Sequence, residues 1–271
     1  MPARNVRVGV QIAPQHMSYP AIRGTVAELE DIGIDVVFNW DHFFPLSGDP
    51  DGLHFEGWSM LAAWAEQTRT IQFGPLVTCN SYRNPDLLAD MARTVDHISS
   101  HGADAGRLVF GIGAGWFERD YTEYGYEFGT AGRRLDSLGE ALPRIKARWA
   151  ALNPPSTRSI PVLIGGGGEK KTLRIVAEHA DIWHSFSNAD TLAHKLGVLR
   201  DWCATVGRNF DDIEISTELP AHHGGGIGDQ SRLEAQHELG ARLFTIGLKG
   251  PEIDLDQVRA LVAWRDAANA H

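Results

Sequence analysis

The sequence predicts a (β/α)8 barrel, and three observations carry that prediction. Eight short apolar runs of strand length alternate strictly with eight helical patterns over 271 residues, the count and length usual for such barrels. Almost none of the runs shows period-two polarity, as expected of parallel strands covered on both faces. The unusual polar, aromatic and glycine residues fall just after the strands, on the rim where a barrel carries its active site. An open doubly wound sheet is the rival arrangement. No linker, repeat or low-complexity tract divides the chain, so residues 1–271 are expected to form one domain.

Residues 6–12 (VRVGVQI) read as the first strand, and 20–32 as a helix with Ile22, Val26 and Leu29 on one face and Gly33 as its stop. The second strand, 35–38, ends in NWDHFFP, and a polar loop leads to a helix over 56–67. The third strand is 71–77, followed by TCNSYRNP and a helix, 85–100, with proline in its first turn. The fourth strand, 107–112, runs into GAGWFERDY, read as loop, before a long helix over 132–150. Val162, Leu163 and Ile164 make the fifth strand, four glycines follow, and a helix starts at Glu169. Strand six is 181–184, with a helix over 191–206 that ends at Gly207. Strand seven is 213–217; AHHGGGIGDQ then reads as a mobile loop before a short helix over 232–239. Strand eight, 243–246, and a helix over 255–268 close the pattern.

Charge and cysteine content exclude several classes of function. With 25 basic and 35 acidic residues the net charge is −10, and no basic stripe points to nucleic acid or an anionic membrane. No apolar run reaches the ~20 residues of a membrane span. The beginning, MPARNVRVGVQIAP, has no apolar signal core, so a cytoplasmic protein is expected. Cys79 and Cys203 are the only cysteines, too few for a disulfide framework or zinc cluster. The 12 histidines are scattered with no metal-binding spacing, and no metal is expected.

The strongest motif is the glycine run from Gly165 to Gly168 between a strand and a helix. Four glycines are costly inside a regular element and useful where backbone must come close to a guest. Unpaired N–H groups at a helix start, with the dipole behind them, suit a phosphate. Lys170, Lys171 and Thr172 add donors in the first turn. Neither a Walker A sequence nor the dinucleotide G-x-G-x-x-G spacing is present, and a plain flexible connection is the bland alternative. Asp41 and His42 set a carboxylate and an imidazole at a strand end. His42 suits proton transfer, with loop capping and simple hydrogen bonding as the alternative. GIGAGW lets a flat ring lie against backbone beside Trp116. Of Trp40, Trp58, Tyr121, Tyr124 and Tyr126, two are expected to touch a ligand and the rest to pack.

The succession NWDHFFP, GPLVTCNSYRNPDLLADMARTVDHIS, GRLVFGIGAGWFERDYTEYG and PVLIGGGGEKKTLRIVAEHADIW resembles the luciferase-like oxidoreductases. Within them it is most similar to the branch abundant in actinobacteria that uses the deazaflavin coenzyme F420. The match runs in order over about residues 6–199. The resemblance implies a (β/α)8 barrel with the flat ring in its mouth, near Asp41, Thr78, Cys79, Gly115 and Trp116. It implies a phosphate at Gly166, Gly167, Gly168 and Thr172, and a non-prolyl cis peptide within residues 75–79. It makes His42 the active-site acid/base, with Asp41 and Glu118 as further catalytic candidates. The catalytic glutamate of the branch's sugar-phosphate dehydrogenases falls at Trp116, with Glu118 two residues on, so the chain departs from the sugar-phosphate pattern. The segment 149–161 is short, as in a minimal version of the fold.

The implied function is hydride transfer between coenzyme F420 and a small organic substrate by a homodimer. An FMN-dependent monooxygenase on the same barrel is the alternative, and a non-catalytic flavin carrier the third reading. Loops 43–58, 118–132 and 220–231 are expected to shape the substrate pocket.

Overall fold

The computed structural model describes residues 5–102, 105–220, 227–250 and 253–270. In chain order the elements are β1 (Arg7–Ile12), α1 (Tyr19–Ile32), β2 (Val36–Asn39), α2 (Gly57–Gln67), β3 (Gln72–Pro75), β4 (Thr78–Cys79), α3 (Pro85–Ser100), β5 (Phe110–Gly113), α4 (Glu118–Tyr124) and α5 (Ala131–Ala151). They continue as β6 (Val162–Gly165), α6 (Thr172–His179), β7 (Ile182–Ser185), α7 (Ala189–Val206), β8 (Glu214–Leu219), α8 (Gln230–Glu238), β9 (Ala241–Leu248) and α9 (Asp256–Asn269). One parallel sheet runs β3-β2-β1-β9-β8-β7-β6-β5-β4. Its two ends lie close in the chain, β3 within the 71–77 strand expected from sequence and β4 just past it in TCNSYRNP, and a parallel bridge from Phe73 to Leu108 joins β3 to the stretch leading into β5, so the sheet closes on itself as a (β/α)8 barrel.

The ninth strand is the short β4 beyond the 71–77 run, and the cis Leu76–Val77 peptide lies between it and β3. The expected cis bond within 75–79 is thus located. The amide of Leu76 donates to Asn39 O (2.7 Å), and the Gln11 side chain crosses to Leu76 O (2.6 Å). Below the break, the seam closes where Val109 N donates to Phe73 O (2.8 Å). Glycine makes this seam possible: a Cβ on Gly74 would stand 2.0 Å from Val109 O, and one on Gly111 would stand 1.9 Å from Pro75 O. The open-sheet rival is excluded by this closure.

Local sequence explains the helices. Ser18 caps α1, Pro20 sits in its first turn, and Gly33 ends it in the left-handed conformation. Asn84, Thr130 and Asn188 cap α3, α5 and α7 in the same way. Two departures from the sequence reading bear on the site. Residues 118–121 of the stretch read as loop form the first part of α4, with Phe117 at its N-cap, and α6 starts at Thr172 because residues 166–171 remain an extended turn. Residues 221–226 of the expected mobile loop lie outside the described residues.

Two apolar layers result. The larger fills the space between sheet and helices, and a smaller one, with Phe38, Val109, Leu163, Ile182 and Leu243, fills the barrel. Beneath the smaller layer Arg7 is forked to Glu214 (3.0 and 2.7 Å) and reaches Gln72 (2.6 Å). No helix among the described residues is long and apolar enough to cross a membrane.

His184 follows Ile182 on the inward face of β7 and is wholly buried, with Nδ1 2.8 Å from Ser216 Oγ. Burial drives its pKa down to about 3. A lowered histidine pKa means that the unfolded chain takes up a proton that the folded chain refuses. Its contribution is therefore complete above pH ~6.5 and is lost as pH falls toward about 3. Urea titrations should show His184→Gln losing less stability than wild type across that window, by on the order of a few kcal/mol. Parallel curves would show that His184 does not carry the acid sensitivity.

Candidate active site

A cavity of about 460 Å³ opens at the C-terminal ends of the strands. Gln11, the 40–42 segment, the split strand from Leu76 to Cys79 and the bend from Gly113 to Trp116 wall one part. Ala131, Arg134 and Leu135 of α5, Gly165, Gly166, Thr172 and Phe186 wall the rest. The bend depends on Gly115, whose φ is +83° and whose missing Cβ would stand 2.0 Å from Tyr121 Oη and 2.5 Å from Cys79 Sγ. Tyr121 and Cys79 are themselves joined, Oη to Sγ, at 3.2 Å. Burial raises the Cys79 thiol pKa, so this sulfur is a neutral packing group rather than a nucleophile.

His42 lines the cavity, and its Nδ1 lies 2.7 Å from Asp120 Oδ2. Asp120 is fully buried and accepts two further hydrogen bonds, from Tyr82 Oη (2.8 Å) and the Phe43 amide (3.0 Å). A carboxylate so held accepts from the ring, which assigns the proton on Nδ1 and leaves Nε2 for a ligand. Edge contacts from Trp116 and Phe117, at 5.6 and 5.5 Å between centroids, fix the ring plane. Behind it Trp40 Nε1 donates to His54 Nε2 (3.2 Å). Burial, with His42 nearby, lowers the His54 pKa to about 4, which keeps it a neutral acceptor.

Asp41 is buried beside His42, and its carboxylate is fully engaged. Oδ2 accepts from Thr78 Oγ1 (2.5 Å), the Cys79 amide (3.1 Å) and Arg83 Nη1 (2.6 Å), while Oδ1 accepts from Arg83 Nη2 (3.0 Å). Burial pushes the Asp41 carboxyl upward against the pull of Arg83 and these hydrogen bonds. The Arg83 guanidinium also holds Glu56, the cap of α2, at 2.8 Å. Asp41 thus ties the ends of β2 and β4 to α2. Removing either partner would leave a buried charge uncompensated.

At the far end of the cavity the glycine turn forms a cradle. Among the described residues the amides of Gly167 and Gly168 donate to no protein acceptor. Thr172 is 6% exposed, and a Cβ on Gly168 would stand 2.8 Å from its hydroxyl oxygen. Gly166 has φ +122°, which favours glycine. Lys195 supports the turn from outside by donating to Gly167 O (2.5 Å). These donors, an adjoining cavity and small residues along one wall fit a flat ring with a phosphate-bearing chain.

The structure therefore gathers Asp41, His42, Thr78, Cys79, Gly115, Trp116, Gly166 and Thr172 around one cavity. Gly167 and Gly168 stand beside it in the turn. Glu118 does not join them: it is exposed on the first turn of α4, and helical geometry turns Asp120 inward instead. Of the five aromatics, Trp40 alone reaches the lining, because Trp58 donates to Thr78 (2.9 Å) and Tyr121, Tyr124 and Tyr126 pack with Phe43, Tyr82 and Phe128. Of the cations near the turn, Lys171 meets Asp136 (2.6 Å), and Arg174, in the first turn of α6, meets Glu178 (2.9 Å). Asp120, Arg83 and Arg134 were not singled out from sequence. A strand-end histidine needs an orienting carboxylate, and that requirement is a signal to search the next rim loops for one. Among the described residues no cluster of histidine, cysteine, aspartate or glutamate has the arrangement of a metal site.

The family model described as luciferase-like monooxygenase matches residues 5–248. An uncharacterized protein of Mycobacterium tuberculosis is 27% identical over 188 residues, which cover 61% of this chain and 64% of that protein. The F420-dependent glucose-6-phosphate dehydrogenase of Amycolatopsis mediterranei is 28% identical over 146 residues, 53% of this chain and 40% of that enzyme. The chain thus spans less than two thirds of the length of these curated relatives. A solved F420-dependent secondary alcohol dehydrogenase, in complex with an F420-acetone adduct, superposes with a TM-score of 0.83 over 97% of this chain and 99% of that one. At 14% identity that likeness shows the fold. Barrel, rim cavity and a match over nearly the whole length agree: the chain belongs to the luciferase-like monooxygenase family.

Proposed function

We propose that this protein is a coenzyme F420-dependent oxidoreductase that transfers a hydride between the deazaflavin and a small organic substrate. The observation that carries the reading is one cavity holding both a donor-lined glycine cradle and a buried Asp120–His42 pair. The F420-dependent enzymes among the relatives and solved neighbours support the choice of cofactor. When bound, the deazaflavin supplies a hydride donor or acceptor at its C5 and, lacking the flavin N5, disfavours oxygen chemistry.

The chain's own residues supply the rest. The Gly166–Gly168 backbone and the Thr172 hydroxyl hold the phosphate, aided by the first turn of α6. Val77 and the Gly113–Trp116 bend wall the ring. His42 Nε2 takes the proton from an alcohol as it is oxidised, or gives one to a carbonyl as it is reduced. Asp120, held by Tyr82 and the Phe43 amide, fixes the tautomer that this requires. Asp41 shapes the site through Arg83, Thr78 and Cys79. The dimer expected from family habit belongs to the same proposal.

The test is an anaerobic assay with coenzyme F420 and a panel of secondary alcohols, then with the reduced cofactor and the matching ketones. Substrate-dependent bleaching or return of the deazaflavin's visible absorbance is expected. Turnover only with reduced FMN and oxygen would replace this reading with the monooxygenase. Turnover with neither cofactor across the panel would favour the non-catalytic carrier.

A further inference from the structure

Phe186, 62% exposed after β7, lines the large cavity and also a second one of about 280 Å³ beside it. Glu218, Leu219, Pro220, Arg232, Gly247 and Lys249 form the remaining walls of the second cavity. Glu218 follows Ser216 on β8, so its side chain rises from the inward face of the barrel to the rim. Its carboxylate takes no hydrogen bond from the described residues. Gly247 leaves room for it, since a Cβ there would stand 3.6 Å from Glu218 Oε1. Across the pocket, Arg232 spends Nη2 on the carbonyls of Ser187 and Glu218 (3.5 and 3.4 Å), while its Nε is buried with no partner. Glu218 and the Arg232 guanidinium therefore stand on the walls of one pocket, an acceptor and a donor group with hydrogen-bonding capacity left unused.

We propose that this side pocket is a distal substrate subsite, and that it takes a neutral hydrogen-bonding group carried on an apolar chain crossing Phe186. An amide is the group that fits best. Its N–H₂ donates to Glu218 while its carbonyl accepts from the Arg232 guanidinium across the pocket. A hydroxyl offers one donor and one acceptor in the same way. A ligand ammonium or carboxylate would meet both signs of charge in this lining, so its attraction is offset by repulsion while it sheds its hydration, whereas a neutral amide meets both groups at a smaller desolvation cost. Burial also raises the Glu218 pKa, with Lys249 and Arg232 opposing, and a protonated carboxyl still pairs with an amide. The substrate class that follows is a small molecule with a reactive carbon at one end, an aliphatic middle and an amide or hydroxyl at the other.

The assignment rests on the large cavity as the reaction site, but its test contains no flavin and so is independent of cofactor identity. Ligand-observed NMR titrations of the protein with hexanamide, hexanoate and hexylammonium compare three ends on one chain. Hexanamide should bind about tenfold more tightly than either ion, a difference of about 1.4 kcal/mol. Glu218→Leu should erase that preference and Glu218→Gln should keep it. Gly247→Val, which fills the pocket beside Glu218 while keeping that carboxylate, should weaken hexanamide about tenfold and covers the case of a poorly folded Glu218→Leu. Preference for hexanoate or hexylammonium, or a hexanamide affinity unchanged by Gly247→Val, would overturn the proposal.

Discussion

Replacing His42 by alanine is expected to cost about 10²–10⁴ in turnover and to leave cofactor affinity nearly unchanged. The imidazole lines the cavity, yet its one hydrogen bond among the described residues, to Asp120, points away from it. Its loss therefore removes a proton carrier rather than a ligand for the cofactor. Asp120→Asn is the sharper variant, because shape is kept while the amide N–H₂ can turn toward Nδ1 and impose the other tautomer. Turnover should fall by about 10²-fold or more, and the limb of the rate–pH profile that follows imidazole ionisation should shift or vanish. Near-normal turnover in both variants, on a substrate that wild type uses, would make the pair structural.

Gly168→Asp should weaken phosphate-bearing cofactors at least about a hundredfold, a loss of roughly 2.7 kcal/mol. The new side chain stands against the Thr172 hydroxyl, where a Cβ alone comes within 2.8 Å, and adds a negative charge where the phosphate belongs. The position is exposed, so circular dichroism should stay native. Riboflavin, which has the ring and the ribityl chain without the phosphate, is the control, and its weak binding should be unaffected. Equal losses for both ligands would mean that the ring site itself had been damaged. No loss for either would make the turn a plain connection.

The barrel was legible because burial on both faces erases period-two polarity, and each strand signals itself by a short apolar run. The break between β3 and β4 was not legible in its detail. Nothing in GPLV alone places a cis bond at Leu76–Val77, and only the family resemblance drew attention to that stretch. The glycine cradle was readable since four glycines have few other uses. Asp120 was missed for a geometric reason: FERDY read as loop gives no grounds to prefer it over Glu118, whereas in α4 the two residues lie on different faces. His184 stands at the end of the sixth strand expected from sequence, and only the folded barrel shows that it is wholly buried. The Glu218–Arg232 pocket joins β8 and α8 across residues 221–226, so only the folded chain brings it together.

The central claim, that this cavity takes coenzyme F420, is tested most directly by titrating the cofactor-free protein with F420 and with FMN while following fluorescence. Both ligands offer a tricyclic ring, a ribityl chain and a phosphate, so the cradle alone accepts either. F420 continues beyond the phosphate into an anionic tail, and Gly168 and Lys170 are exposed, which leaves that tail a path into solvent. Lys171 and Arg174 are committed to Asp136 and Glu178, so salt should weaken the tail's contribution only modestly. Micromolar or tighter F420 binding is expected, with FMN weaker by about tenfold or more, or about 1.4 kcal/mol. FMN binding as tight as F420 or tighter would contradict the account.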